Sequence, residues 1–349
     1  MRRTVTARWF GSLLMTAVLA LSGFRISPAG ETTPTPPAPA PATLAEASND
    51  GLSKILMGGA PNTVSDLKAM QERVRKLSEK LILATVGVQV GQAQGSGVIV
   101  SKDGYVLTAA HVSGNPGRDV KFIMSDGKEL KGKTLGLNRT IDAGLMKIAE
   151  GSDFPTVEMG LSDILKDGQW CLATGHPGGY QSDRKPVLRL GRVLLSDSST
   201  ITTDCTLVGG DSGGPLFDFE GKVIGINSRI SGPISANMHV PVNTFKETWD
   251  RMVKGDAWGH VLGNDPYVGI KGDAAAIDAK IGSIIPDSPA AKAGVVVGDV
   301  IAAVNDIAVA DFAAFKSVIN DHQPGDELKL KIKRGDKEVE IKVKLAKKN

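Results

Sequence analysis

The sequence predicts a mainly β protein whose short strands close into a barrel or sandwich, followed by a smaller unit mixing strands and helices. Two observations carry this reading. From about Ala84 to Ile230, runs rich in Val, Ile, Leu and Thr ("TVGVQV", "GSGVIV", "YVLTAA", "VKFIMS", "AGLMKIA", "WCLATG", "RVLLSD", "GKVIGINS") alternate with Gly, Asp, Asn and Ser. That texture belongs to antiparallel strands joined by tight turns. From His260 onward strand and helix patterns mix, ending in "ELKLKIKRGDKEVEIKVKL", two strands around the turn Arg334-Gly335-Asp336. With 349 residues the chain is long enough for two or three domains, and no fixed-period repeat divides it.

The elements follow in chain order. "MRRTVTARWFGSLLMTAVLALSGF" has a basic start and an apolar run from Trp9 to Phe24, short for a membrane span. Small residues follow at Ala20-Leu21-Ser22 and Ser27-Pro28-Ala29, so residues 1–29 read as a signal peptide, with an uncleaved anchor as the alternative. No cysteine lies near them, which excludes a lipoprotein anchor. "ETTPTPPAPAPAT" (31–43) is an extended Pro/Ala spacer, and the chain reads as loosely ordered to about Asn62. Thr63 with Asp66 three residues on resembles a capping box, and Leu67, Met70, Val74, Leu77 and Leu81 follow at helical spacing. That amphipathic helix either docks on its own domain or forms an oligomer contact. The strand-rich stretch then closes with a helix over "VNTFKETWDRMVKG" (242–255). The expected division is 1–29 signal or anchor, 30–62 linker, 63–257 first globular domain, and 258–349 second domain.

Composition narrows function. Hydrophobic residues make up 41% and charged residues 23%, ordinary for a globular protein. The net charge of +3 comes from the first 29 residues, where Arg2, Arg3, Arg8 and Arg25 stand without an acid. The remainder is close to neutral, which argues against nucleic acid as the main partner. No P-loop, Rossmann fingerprint or spaced Cys/His cluster is present, so neither a metal nor a cofactor is expected.

"VGGDSGGPLF" (208–217) sets one serine among four glycines. So many glycines would weaken a strand or helix, so the backbone of this turn matters more than its side chains. A serine nucleophile needs a base, a group to orient the base, and backbone N–H donors for an oxyanion. The turn around Ser212 supplies the donors, with Gly210 free to aim its N–H into the same hole as that of Ser212. Of the five histidines, His111 ends an apolar strand in "GYVLTAAHV", His176 lies in the turn "TGHPGG", and His260 and His322 belong to the second unit. Asp142, in "RTIDAGLMKI", is a lone carboxylate before an apolar run, costly to bury unless paired, and a histidine N–H suits it.

"TAAH", "DAGLMKI" and "GDSGGP", in the order His, Asp, Ser, resemble a chymotrypsin-fold serine protease, and the intervening segments resemble the HtrA (Deg) family more closely. The resemblance covers about Leu67 to Lys254. It continues in "YVGI" (267–270), "SPAAKAGVVVGDVIAAVN" (288–305) and "DFAAFKSVIN", which resemble a PDZ domain. It implies two six-stranded antiparallel β-barrels followed by an α+β PDZ domain. It assigns His111, Asp142 and Ser212 as the catalytic triad at the barrel interface, and the N–H groups of Gly210 and Ser212, with Asp211 nearby, as the oxyanion hole.

Further implications concern ligands. The substrate would add as a strand along Ile226, Asn227 and Ser228 to Ile230. Leu207 and Val208 would form an S1 pocket without an acid, favouring small or medium apolar residues and therefore unfolded protein. Val268, Gly269 and Ile270 would bind a peptide C-terminal carboxylate, with Phe312, Phe315 and Ile319 facing the groove or packing in the core. A homotrimer or larger assembly and an exported, periplasmic or extracellular location are likewise implied. Departures from the family are Asp211 where Asn is common, His176 where Asn is common, and Asn305-Asp306 where Asn-Gly is common. The neighbouring strands of Cys171 and Cys205 admit a disulfide in such a fold, or two buried free thiols. The rival function is a peptide-binding scaffold or holdase whose protease unit is vestigial; another is a signalling protease for one membrane partner.

Overall fold

The computed structural model describes residues 50–230, 232 and 235–348. The signal-peptide reading of residues 1–29 and the spacer at 31–43 lie outside the described residues. The segment just before Thr63 differs from expectation: Asp50–Leu56 is a helix, α1. Ile55 is buried and Leu56 packs against the main core. The second helix, α2 (Val64–Ala84), has Thr63 as N-cap, with Thr63 Oγ1 accepting from Asp66 N–H and Asp66 Oδ2 accepting from Thr63 N–H. Met70, Leu77, Leu81 and Ala84 turn inward, so the apolar stripe docks on its own chain, while Leu67 stays exposed. Each such side chain contributes about 1.5–3 kcal/mol on full burial.

The first barrel uses β1 (Thr85–Val90), β2 (Ala93–Ile99), β3 (Tyr105–Ala109), the one-turn helix α3 (Ala110–Ser113), β4 (Asp119–Ile123), β5 (Glu129–Asn138) and β6 (Ala143–Ile148). The strands run in the order β5-β4-β1-β2-β3-β6, and β6 pairs back onto β5 to close the ring. Its interior holds Val86, Val88, Ile99, Val106, Phe122 and Met146. The second barrel is β7 (Trp170–Gly175), β8 (Val187–Ser196), β9 (Ile201–Thr203), β10 (Pro215–Phe217), β11 (Val223–Ile230) and β12 (Asn237–Pro241), closed in the order β10-β11-β12-β9-β8-β7. Closure leaves neither sheet with a long free edge. Between the barrels lies the largest core, which also takes Leu77 and Leu81 of α2 and Phe245, Trp249 and Met252 of α4 (Val242–Glu247) and α5 (Trp249–Val253).

Cys171 and Cys205 are free thiols, and they do not sit on the neighbouring strands expected: Cys171 is on β7, Cys205 lies just past the end of β9, and β8 runs between β7 and β9. Gly191 on β8 pairs with Cys171, and a side chain there would meet Cys205 Sγ, so the two sulfurs approach to 3.8 Å over a residue without a side chain.

The second domain does not begin cleanly at residue 258. β13 (Ala257–Trp258) adds to β5 in parallel, with Leu137 N–H donating to Asp256 O and Arg139 N–H to Trp258 O. Trp258 is buried under the Arg251 guanidinium, 4.1 Å from the ring centre. Then come β14 (Pro266–Tyr267), β15 (Ile270–Gly272), β16 (Ile281–Ile284), α6 (Pro289–Ala293), β17 (Val300–Val304), β18 (Ile307–Ala308), α7 (Phe312–Asn320), β19 (Glu327–Arg334), β20 (Lys337–Lys344) and β21 (Ala346–Lys347). Their core is separate, built on Ile281, Ile301, Val304, Phe315, Leu328, Leu330 and Val343. The C-terminal end of α7 meets the strand-like connection: Asp321 O accepts from Gly259 N–H, and Asn320 O is 3.1 Å from His260 Nδ1.

Candidate active site

α3 presents His111 and the β5–β6 turn presents Asp142. Asp142 holds the left-handed backbone (φ 64°) that most side chains avoid but aspartate tolerates. The turn aims its carboxylate at the imidazole: His111 Nδ1 lies 3.0 Å from Oδ1 and 2.8 Å from Oδ2, and His111 N–H donates to Oδ1 at 2.9 Å. Ser228 Oγ donates to Oδ2 at 2.6 Å. Burial would raise the Asp142 pKa, but the bonds from His111 and Ser228 outweigh it and hold the carboxyl below its ordinary value. An ionised Asp142 facing Nδ1 leaves Nε2 as the proton-accepting nitrogen of a neutral ring.

β2 brings Ser212 close to α3, though among the described residues its Oγ makes no hydrogen bond to His111. Ser212 O accepts from Ser96 N–H at 2.8 Å, and a side chain on Gly95 would meet both Ser212 O (2.9 Å) and Val112 of α3 (2.8 Å). The glycines of the turn are dictated by close approach. Gly210 has φ 93°, and a Cβ there would lie 2.3 Å from His176 O. At Gly213 (φ 85°) it would lie 2.2 Å from Ser96 O and from Thr108 Oγ1. Among the described residues, the N–H groups of Gly210 and Ser212 donate to no backbone carbonyl. The Asp211 N–H does, to Val208 O at 3.1 Å, so it is not available as the third donor that was expected nearby.

The turn rests on Ser96, which sequence reading did not single out, and on His176 and Asn227, which it noted in other roles. Ser96 Oγ accepts from His176 N–H at 2.9 Å and donates to Gly210 O at 2.8 Å. The available signal was its place between Gly95 and Gly97, since glycine inside a strand marks close backbone approach. His176 belongs to this support. It is buried, and burial followed by the nearby Arg184 lowers its pKa to about 4. Behind Ser212, Asn227 Nδ2 donates to Thr174 O and Asp211 O, and its Oδ1 faces His239 Nδ1 at 3.0 Å. His239 Nε2 meets Thr203 Oγ1 at 2.7 Å, and full burial lowers the His239 pKa to about 3, so the ring is neutral with its proton on Nδ1.

The strand expected to receive substrate is shorter than 226–230. Ile226 is buried between β10 and β12, and Asn227 N–H and O are bonded to Gly214 O and Gly213 N–H. The open edge therefore begins at Ser228 and runs to Ile230. Of the two residues expected to form the S1 wall, Leu207 is buried and Val208 is 39% exposed.

In the second domain Val268, Gly269 and Ile270 precede and open β15. Among the described residues, Val268 and Gly269 N–H donate to no backbone carbonyl. Only glycine fits at 269 (φ 81°), where a Cβ would strike Ser288. Phe315 and Ile319 of α7 are core residues, not groove walls. Phe312 instead lies against β15: a Cβ on Gly272 would come within 2.6 Å of its ring.

Comparison with known proteins fits this geometry. Residues 95–226 match the family model of the trypsin-like peptidase domain, and residues 262–345 that of the PDZ domain. A probable periplasmic serine endoprotease, DegP-like, of Marinomonas sp. (strain MWYL1) is 37% identical over 269 residues, 72% of this chain and 56% of that protein. One of the same description from Pseudomonas fulva (strain 12-X) is 32% identical over 321 residues, 86% of this chain and 64% of that one. The chain thus spans less than two thirds of these relatives. In fold it is similar to the crystal structure of the serine endoprotease from Yersinia pestis, with a TM-score of 0.51 and 22% identity, over 83% of this chain and 100% of that one.

Proposed function

The chain belongs to the HtrA (Deg) family, a trypsin-like peptidase domain with a PDZ domain after it, and on that premise we propose that it is an exported serine endopeptidase acting on unfolded protein. The observation that carries the reading is the pairing of His111 with Asp142, whose carboxylate Ser228 also holds, beside a turn whose Gly210 and Ser212 N–H groups are uncommitted. Ser212 Oγ attacks the scissile carbonyl while His111 Nε2 takes its proton. Asp142 fixes the ring's orientation and stabilises the imidazolium that forms. The Gly210 and Ser212 N–H groups receive the oxyanion, and His111 then hands the proton to the leaving amine. The substrate backbone adds along Ser228 to Ile230, and the apolar wall at Leu207 and Val208 favours small or medium apolar residues. Such residues are buried in native proteins, which makes unfolded chains the accessible substrates.

The free N–H groups at Val268 and Gly269 suit the carboxylate of a peptide C-terminus, so the second domain captures or senses such ends. The basic, apolar N-terminal stretch and the periplasmic relatives support export, and the resemblance supports a trimer or larger assembly. The test is digestion of an unfolded model protein by the full chain beside Ser212→Ala. Cutting by the wild type alone, after apolar residues, is the expected result. Silence of both, with or without C-terminal peptides, would favour a peptide-binding scaffold.

A further inference from the structure

The acid before the nucleophile has a partner that its motif does not announce. Asp211 is fully buried, packed so closely on Gly175 that a Cβ there would lie 2.6 Å from Oδ1. Its carboxylate meets a guanidinium from β8: Arg189 Nη1 donates to Oδ1 at 3.2 Å, and Nη2 lies 3.0 Å from Oδ2. Such a two-point fork fixes direction as well as charge. The same Oδ2 accepts the Val208 N–H at 2.9 Å, on the expected S1 wall. The Asp211 main chain is equally bound, its O accepting from Gly214 N–H and Asn227 Nδ2. Burial raises the Asp211 pKa, against the pull of the Val208 N–H and Arg189. Arg184 is the other nearby cation, but its Nη2 donates to Pro177 O.

We propose that Arg189 is a positioning residue for hydrolysis, whose guanidinium holds Asp211 inside the second barrel and thereby keeps the Gly210 and Ser212 N–H groups and the Val208 wall in register. The inference rests on the serine-protease reading above. A buried carboxylate stripped of its cation is strongly unfavourable. Its simplest relief is rotation toward water. That rotation drags the 210–211 and 211–212 peptides with it; the Ser212 N–H belongs to the second, and the Gly210 N–H, in the 209–210 peptide, is tied to the first through the Gly210 Cα. Arg189 reaches the turn from inside the folded chain, so the countercharge is in place as soon as the barrel closes and no cleavage is needed to create it.

The test compares the full chain with Arg189→Met, Arg189→Lys, Asp211→Asn and the double variant Arg189→Met/Asp211→Asn. Hydrolysis of a peptide substrate gives kcat and KM, and affinity for a peptide boronic acid reports the oxyanion hole. Arg189→Met is expected to lower kcat about 100-fold, the scale of losing one oxyanion donor. KM should change only a few-fold, and boronate affinity should fall with kcat. Arg189→Lys, with the charge but not the fork, should fall between. The double variant should recover at least tenfold of the loss, because a neutral amide at 211 needs no cation. A merely structural ion pair would lower the folded fraction, and with it the apparent kcat, but kcat per folded molecule, counted by active-site titration, and boronate affinity would stay at the wild-type values. If Arg189→Met does not fold, the double variant still decides: folded and active supports the proposal, folded and inactive overturns it. Arg189→Met within threefold of the wild-type kcat also overturns it, leaving the protease reading intact. A wild type that cuts nothing and binds no boronate removes both.

Discussion

Ser228 Oγ donates to Asp142 Oδ2 at 2.6 Å, joining the edge that would receive substrate to the carboxylate that orients His111. The bond crosses from the second barrel to the first, so it fixes the distance between the two halves of the site.

Ser228→Ala should therefore lower kcat about tenfold, since a hydrogen bond to a charged group contributes about 1.5–3 kcal/mol and part of that is regained from water. The melting temperature should change little. Unchanged turnover in steady-state kinetics would count against the role given to this serine.

Ser96→Ala removes the group that ties Gly210 O to His176 N–H. The expected result is a loss of about 1–3 kcal/mol in stability, from buried groups left unpaired, together with a fall in kcat. Urea unfolding and hydrolysis assays on the same preparation check both. A stability loss with full turnover would place Ser96 in the scaffold alone.

Acid should destabilise the protein before any carboxylate of ordinary pKa titrates. His176 and His239 have folded pKa values of about 4 and about 3, below the ordinary 6.5. Their contribution is complete above about pH 6.5 and is lost as pH falls toward those values, because only the unfolded chain takes up the protons. Each displacement corresponds to roughly 3 kcal/mol or more in the limit. Asp218 works the other way: burial raises its pKa to about 6, so its contribution declines as pH rises from about 4 to 6. Urea unfolding between pH 4.5 and 7.5 should show a shallower acid loss for His239→Gln than for the wild type; parallel curves would contradict this.

Phe312→Ala should strengthen binding of peptides with an apolar C-terminus several-fold. The ring lies over the face of β15 at Gly272, and a peptide strand adding to the edge of β15 that β16 leaves unpaired is expected to meet it. A site closed part of the time binds with its affinity reduced by the closed fraction. Calorimetry with one peptide and both proteins measures the difference, and equal affinities would mean that the ring does not obstruct entry.

The sequence was most readable where local rules act alone. Thr63 and Asp66 announced the start of α2 because a capping box is four residues long. The turn around Ser212 was legible because its glycines answer to backbone crowding within one loop. Ser96, Arg189 and Ser228 were not singled out for these contacts, because Ser96 and Ser228 bond partners 80 or more residues away and Arg189 reaches a turn 22 residues on. The cysteines show the same limit: spacing said nothing of β8, whose Gly191 lies between Cys171 and Cys205. Residues 50–56 read as loose because a seven-residue helix carries too little periodicity to stand out; Ile55 and Leu56, packed beneath it, are what support it.

The short strand β13 gives the chain a shared hem. Residues 256–258 complete the hydrogen bonding of β5, while Gly259 and His260, the next two residues, are bonded to the end of α7. His260 N–H also donates to Thr140 Oγ1, two positions before Asp142. A gene fusion that exchanged the second domain at residue 257 would tear that hem. It would unpair an edge of the first barrel, expose the place of Trp258, and cut the stitch next to the Asp142 turn. Swapping the modules without tearing it requires a junction beyond His260.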